Sequence, residues 1–246
     1  LTQHQVSVTL ILLSLLNLWG PRTVLKNIIL GSLFGAGLLV DIPNAFMLLP
    51  AVLVALYKHF NIFKIDQPHI SISLMFVTML LGLIPFLVIF GWYNLQLTGN
   101  PLQIGQNLGR TDYPATRDKL YDVIPKIDPS AGRYPYESRS LINGLYILLL
   151  SNERSWIYYS PVVFIGIIGL YFAYQEKPES RSSIKLIFAT ALINLISYAM
   201  FGDPWGGWSF GPRYLIPATA VLSTGLGYAV TKLGKYLPFT IVFLVL

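Results

Sequence analysis

Apolar residues recur along this chain in blocks of about 15–24, the length a helix needs to cross a bilayer. In lipid the backbone groups of such a block must bond within the segment, so each block is read as a helix. Composition agrees. Hydrophobic residues make up 54% of the 246 and charged residues 11%, against roughly 25% charged in soluble domains. The expectation is an all-α polytopic membrane protein of seven or eight spans, one integral membrane domain over 1–246. The chain has no cysteine, which excludes disulfides and thiolate chemistry.

The spans expected from the apolar runs are 5–19, 24–40, 43–60, 70–93, 157–174, 184–201 and 214–231, with another beginning at 237. The segments between them alternate in charge. One set carries Arg22, Lys26, Lys58, Lys64, Lys177, Arg181, Lys185, Lys232 and Lys235, nine basic residues against three acidic ones. The other set holds Asp41, residues 94–156 and the 202–213 turn, with eight basic and eight acidic residues. The whole excess of +6 lies on one side, which the positive-inside rule makes cytoplasmic. The basic balance is therefore a topology signal, and nucleic acid is excluded as a partner. The run from Leu237 to Leu246 is too short to cross, and the chain opens without methionine. An internal or C-terminal piece of a larger polytopic chain is expected.

Residues 94–156 form the one long outer segment. Pro101, Pro114, Pro125, Pro129 and Pro135 exclude long helices there, leaving room for a short one over 116–124. The apolar run 141–150 is too short to span and suits an interfacial or re-entrant helix.

The polar groups that could carry chemistry lie on the expected outer side. The turn GDPWGGWSFGPRYLIP, residues 202–217, separates two apolar runs. Gly206, Gly207 and Gly211 permit positive φ angles and close approach to a ligand. Pro212 suits the first position of a helix, which would put Arg213 in the first turn of the next span. Free N–H groups at a helix start together with a guanidinium make an anion site. The plainer reading takes Trp205, Trp208 and Tyr214 as an interface belt and lets Arg213 snorkel. Asp41 sits between two spans, either as a functional carboxylate at the bilayer edge or as a cap for the helix opening at Pro43. Glu153 and Arg154 precede the 157–174 span, as site residues or as a rim ion pair. Asp112, Asp118, Asp122 and Asp128 lack calcium-loop spacing. His4, His59 and His69 form no metal or triad pattern, and there is no P-loop, nucleophile elbow or zinc signature.

Four segments in this order, GSLFGAGLLVDIPNAFMLLP, GNPLQIG, SNERSWIYYSPVVFIGIIGL and GGWSFGPRYLIP, resemble the GT-C-fold glycosyltransferases that use polyprenyl-phosphate donors, relatives of protein O-mannosyltransferases. The resemblance runs from about residue 20 to the end. It implies inverting transfer of a sugar from a lipid-linked donor to a protein, lipid or glycan acceptor, at the outer face of a bacterial or archaeal plasma membrane. A carboxylate would act as base and cations would stabilise the departing lipid phosphate. The donor it implies is a polyprenyl-phosphate-linked sugar, and a divalent metal is compatible with the transfer. The family's usual base lies on a first outer loop that this chain lacks, so Asp41 is placed as an auxiliary carboxylate. Arg213, Tyr214, Trp205, Trp208, Gly207, Ser209, Glu153 and Arg154 are placed as substrate-binding residues. The alternatives are a polytopic transporter or lipid flippase, which would favour charges at the midplane, and an O-antigen ligase-like enzyme. The latter would lean on Arg110, Arg117, Arg133 and Arg139.

Overall fold

A computed structural model describes residues 3–20, 23–59, 74–102, 141–201 and 211–234, and these are almost wholly helical. The order is α1 Gln3–Asn17, α2 Val24–Val40, α3 Pro43–His59, α4 Leu74–Thr98, α5 Leu141–Leu150, α6 Trp156–Tyr159, α7 Val162–Glu176, α8 Arg181–Ala199, α9 Ile216–Ser223 and α10 Leu226–Lys232. The run from 237, the 116–124 helix, the four loop aspartates and Arg110, Arg117, Arg133 and Arg139 lie outside the described residues.

Local chemistry sets most boundaries. Thr23 opens α2 by accepting the Lys26 N–H on its hydroxyl at 3.2 Å. The helix stops at Asp41, whose backbone is extended, because Pro43 starts the next helix two residues on. Ser155 caps α6 through its hydroxyl, which accepts the Tyr158 N–H at 3.1 Å. The ten-residue α5 coincides with the apolar run 141–150.

Two expected spans are broken. Residues 157–174 do not form one helix: α6 ends at Ser160, and α7 begins only after Pro161, whose ring removes a donor and restricts its predecessor. Residues 214–231 open as a 3₁₀ turn, Arg213–Leu215, and continue as α9 and α10 with a 50° bend between the two. At that bend Thr224 turns its hydroxyl onto the Val221 carbonyl at 2.6 Å.

By length, fewer helices qualify among the described residues than the seven or eight spans expected. Among the described residues, Phe76–Thr98 and Pro178–Ala199 are long and apolar enough to cross a membrane, and a third span exists if the bent pair is taken as one. The 17-residue α2 and α3 are about 25 Å long at 1.5 Å per residue, short of a hydrocarbon core of about 30 Å.

Glycines govern how these helices meet. A Cβ on Gly31 of α2 would lie 1.9 Å from the Met79 carbonyl oxygen of α4, and one on Gly82 would lie 2.1 Å from the Ile28 oxygen. The two backbones therefore touch, and Ser32 adds a hydroxyl bond to the Gly82 carbonyl at 3.2 Å. Small residues at helix crossings are the usual device where lipid removes the hydrophobic incentive to associate. The same contact joins α7 to the bend after α9: a Cβ on Gly225 would meet the Gly166 carbonyl oxygen at 2.1 Å. Leu30, Ala51, Ala55 and Met79 fill the first packing centre. Leu148, Val163, Ala199, Leu215 and Val221 belong to the second.

Gly82→Val is expected to force α2 and α4 apart and to lower stability by about 1–3 kcal/mol, the range for overpacked sites. Thermal unfolding of the purified protein in detergent measures this. Gly227→Ala, at a position where an added Cβ meets nothing within 4 Å, is expected to leave the midpoint nearly unchanged.

Candidate functional site

Asp41 ends α2 and is only 7% exposed. Its carboxylate reaches across the bundle rather than serving the next helix alone. Tyr198 near the end of α8 donates its hydroxyl to Oδ2 at 3.2 Å, and Gln3 at the start of α1 donates an amide N–H to the same oxygen at 3.4 Å. One acid thus ties together three helices that are remote in sequence.

An aromatic layer lies beside it. The rings of Tyr198 and Tyr214 stack at 4.4 Å and 7°, with Phe201 set edge-on to both at 6.2 and 5.8 Å. His4 meets Tyr214 edge-on at 6.0 Å. The Arg213 guanidinium carbon stands 5.2 Å from the centre of the Tyr214 ring. Each favourable ring pair contributes about 0.5–1.5 kcal/mol beyond its buried area.

Arg213 is half-buried, and its Nε is fully buried without a hydrogen-bond acceptor. Its charge is felt at His4, as is that of Asp41. Burial comes first in holding the His4 imidazole below its ordinary value near 6.5; Arg213 acts in the same direction and Asp41 opposes them. Asp41 and Arg213, 172 positions apart by number, therefore act on one histidine at one end of the bundle.

The helix-start part of the expected anion site is corrected. Pro212 is not the first residue of an α-helix: it precedes the 3₁₀ turn, and α9 begins at Ile216. Several of the backbone N–H groups there are already engaged. Arg213 donates to the Gly211 carbonyl at 3.0 Å and Leu215 to the Pro212 carbonyl at 2.9 Å. Ala218 donates to the Asn194 side-chain oxygen at 3.1 Å. The same wholly buried Asn194 gives its amide N–H to the Tyr214 carbonyl at 3.2 Å. The charge at this turn is carried by the Arg213 guanidinium.

Gly211 has the expected positive φ, +67°, and lies 3.6 Å (from the place of a Cβ) to the Tyr159 ring. Trp156 donates its indole N–H to the Thr219 hydroxyl at 2.8 Å. These contacts bring the SNERSWIYY segment against the GPRYLIP segment, two pieces singled out separately in the sequence. Within the former, Glu153 is exposed whereas Arg154 is buried, so the two differ in setting and do not form a simple rim pair. Trp205, Gly207, Trp208 and Ser209 lie outside the described residues.

An open cleft of about 440 Å³ starts at the same carboxylate. It runs between the ends of α2 and α4 and is lined by Leu38, Asp41, Ile42, Phe90, Trp92 and Asn94 among others. Its walls mix apolar side chains with polar surface, Asp41, Tyr93 and Asn94 among the lining residues. Among the described residues, no group of three or more His, Cys, Asp or Glu side chains could hold a metal ion.

Sequence reasoning missed His4, Gln3, Tyr198 and Asn194. The signal for Asn194 was a carboxamide inside an apolar run, LINLISYA, where an unpaired amide is costly and a partner is implied. His4 carried no local signal. No family model, no curated protein and no solved structure matches this chain.

Asn194→Ala removes both bonds to the turn and strands the Ala218 N–H, at a cost of about 1–3 kcal/mol, measured by thermal unfolding. The depressed His4 gives stability a pH dependence. The folded state takes up a proton less readily than the unfolded one, so stability is complete above about 6.5 and falls as the pH drops through it. His4→Gln is expected to flatten that slope in unfolding midpoints recorded between pH 5 and pH 8, roughly the window of histidine titration.

Proposed function

We propose that this chain carries part of the site of a membrane glycosyltransferase that moves a sugar from a polyprenyl-phosphate donor to an acceptor at the extracytoplasmic face, with inversion. One observation carries the reading. An arginine whose buried Nε has no hydrogen-bond acceptor, Arg213, shares one end of an apolar helical body with the buried Asp41, which also lines a cleft of mixed polar and apolar surface.

In this reading the cleft takes the first isoprene units of the donor, and Arg213 takes its phosphate. Arginine suits that task because its planar fork matches phosphate oxygens two at a time and stays charged at any working pH. The acceptor hydroxyl oxygen attacks the anomeric carbon, its proton passes to a carboxylate base, and the bond from that carbon to the phosphate oxygen breaks with its electron pair. The released lipid phosphate carries the new charge, which Arg213 stabilises. Asp41 takes the auxiliary place assigned to it, oriented by Tyr198 and Gln3. Tyr214, Glu153 and Arg154, with Trp205, Gly207, Trp208 and Ser209 from the turn, line the sugar and the acceptor.

The proposal includes the GT-C arrangement of seven or eight spans in a bacterial or archaeal plasma membrane. The shorter apolar helices α2, α3 and α7 then cross by locally thinning the bilayer, at a modest cost per ångström of mismatch. The charge alternation supports the orientation, because Asp41 and Arg213 share one end of the bundle while Lys177, Arg181 and Lys232 share the other.

Membranes carrying the protein, supplied with a radiolabelled polyprenyl-phosphate sugar, are expected to transfer label to endogenous acceptor. Arg213→Ala should lower the rate by about 100-fold, the loss typical of one stabilising donor, with part of it restored in Arg213→Lys. Unchanged transfer in Arg213→Ala removes that residue from the mechanism. Absence of transfer by the unaltered protein, with label instead crossing the bilayer, favours a flippase.

A further inference from the structure

At the end of the bundle away from Asp41, α7 and α10 finish side by side in a ledge of cations and tyrosines. Glu176 closes α7 and is occupied: it pairs with Lys232 at 2.6 Å and accepts the Tyr228 hydroxyl at 2.6 Å. The Lys232 and Tyr228 contacts hold its carboxyl below the ordinary range, Lys232 foremost. Lys177 stands 5.5 Å from the centre of the Tyr228 ring. In the next turn Arg181 lies 5.3 Å from the centre of the Tyr174 ring and donates Nε–H to the Tyr174 carbonyl at 3.0 Å. Lys185 follows one helical turn later on α8.

All four cations are exposed, and Glu176 and Glu179 are the acids beside them. Among the described residues Lys177, Arg181 and Lys185 touch no carboxylate, which leaves the ledge with surplus positive charge. Below it the flanks of α7 and α10 are apolar and outward-facing, with Tyr171 and Val230 exposed. A ligand that satisfies both features has an anionic head and a hydrocarbon body. Tyrosines and long basic side chains at the ends of apolar helices are also the groups that settle at head-group depth.

We propose that this ledge binds the phosphate head group of an anionic membrane phospholipid. Lys177, Arg181 and Lys185 contact the phosphate oxygens, and the acyl chains lie down the flanks of α7 and α10. Tyr174 and Tyr228 hold Arg181 and Lys177 in place, while the Glu176–Lys232 pair closes the side of the ledge. This binding stands apart from the Asp41 site and is independent of any sugar transfer.

The test is lipid binding by the whole purified chain in phosphatidylcholine micelles titrated with phosphatidylglycerol, with bound lipid counted by native mass spectrometry. Saturable binding of phosphatidylglycerol is expected, weakened by added salt. The double variant Lys177→Gln/Arg181→Gln should bind about 30-fold more weakly, from the worth of each basic residue at an anionic surface. Glu179→Gln, which removes an exposed acid from the ledge, should bind more tightly, so the proposal stays testable if the double variant misfolds. Lys26→Gln, which alters a basic residue in the first turn of α2, should change nothing. Equal binding of both lipids, an equal loss in Lys26→Gln, or no gain in Glu179→Gln overturns the proposal. Full competition by millimolar inorganic phosphate assigns the ledge to a soluble anion and overturns it also.

Discussion

Backbone-to-backbone contact at glycine is the constraint on which the arrangement of this bundle rests. At the α2–α4 crossing an added Cβ on either Gly31 or Gly82 would overlap a carbonyl oxygen of the other helix, so no side chain larger than hydrogen fits without separation. Dispersion between helices depends steeply on approach, and a gap of even half an ångström forfeits a large part of it. In a lipid solvent, which rewards apolar burial little, that proximity is the main favourable term. The crossing also sets where α2 ends relative to α4. It therefore fixes the mouth of the cleft that runs from Asp41 to Asn94.

The second glycine contact has a different consequence. Gly225 rests against the Gly166 carbonyl at the place where α9 and α10 diverge by 50°. The bend keeps α10 along α7, so that Tyr228 and Lys232 reach Glu176. Trp156 and Val163, on the α6–α7 side, meet α9 in the same packing centre. Each end of the pair is thus held by polar contacts, and the middle by the absence of side chains.

Much of the helical plan was legible in the residues. The limits of α2 follow from Thr23 and from Asp41 before Pro43, and the ten-residue α5 follows from the length of its apolar run. The broken segments were less legible because apolar periodicity is blind to turns within it: Pro161 in 157–174 was visible, yet its effect depended on a Ser-capped turn just before it. In the site, the residues brought together from α1 and α8 were illegible in principle. His4 and Gln3 sit in a short polar start with no motif, and Tyr198 is one aromatic among many in an apolar helix. Their meaning comes from which helix ends coincide in space, and a single sequence encodes that only through packing.

The anion-binding chemistry of the Asp41 end also shifts in kind between sequence and structure. A helix start offers N–H groups in fixed directions and a partial charge of about one half. Here several of those groups are taken by the 3₁₀ turn and by Asn194, and Pro217 supplies none. The turn instead delivers a full charge on a side chain whose guanidinium stands over Tyr214, which is itself stacked on Tyr198. Tyr198 in turn holds Asp41. The cation and the carboxylate are consequently linked through two stacked rings: tilting either ring moves both charges. Such coupling ties the position of one charge to that of the other. It also explains why Asn194, which touches neither charge, matters to both, because it fastens the backbone from which Tyr214 and Arg213 project.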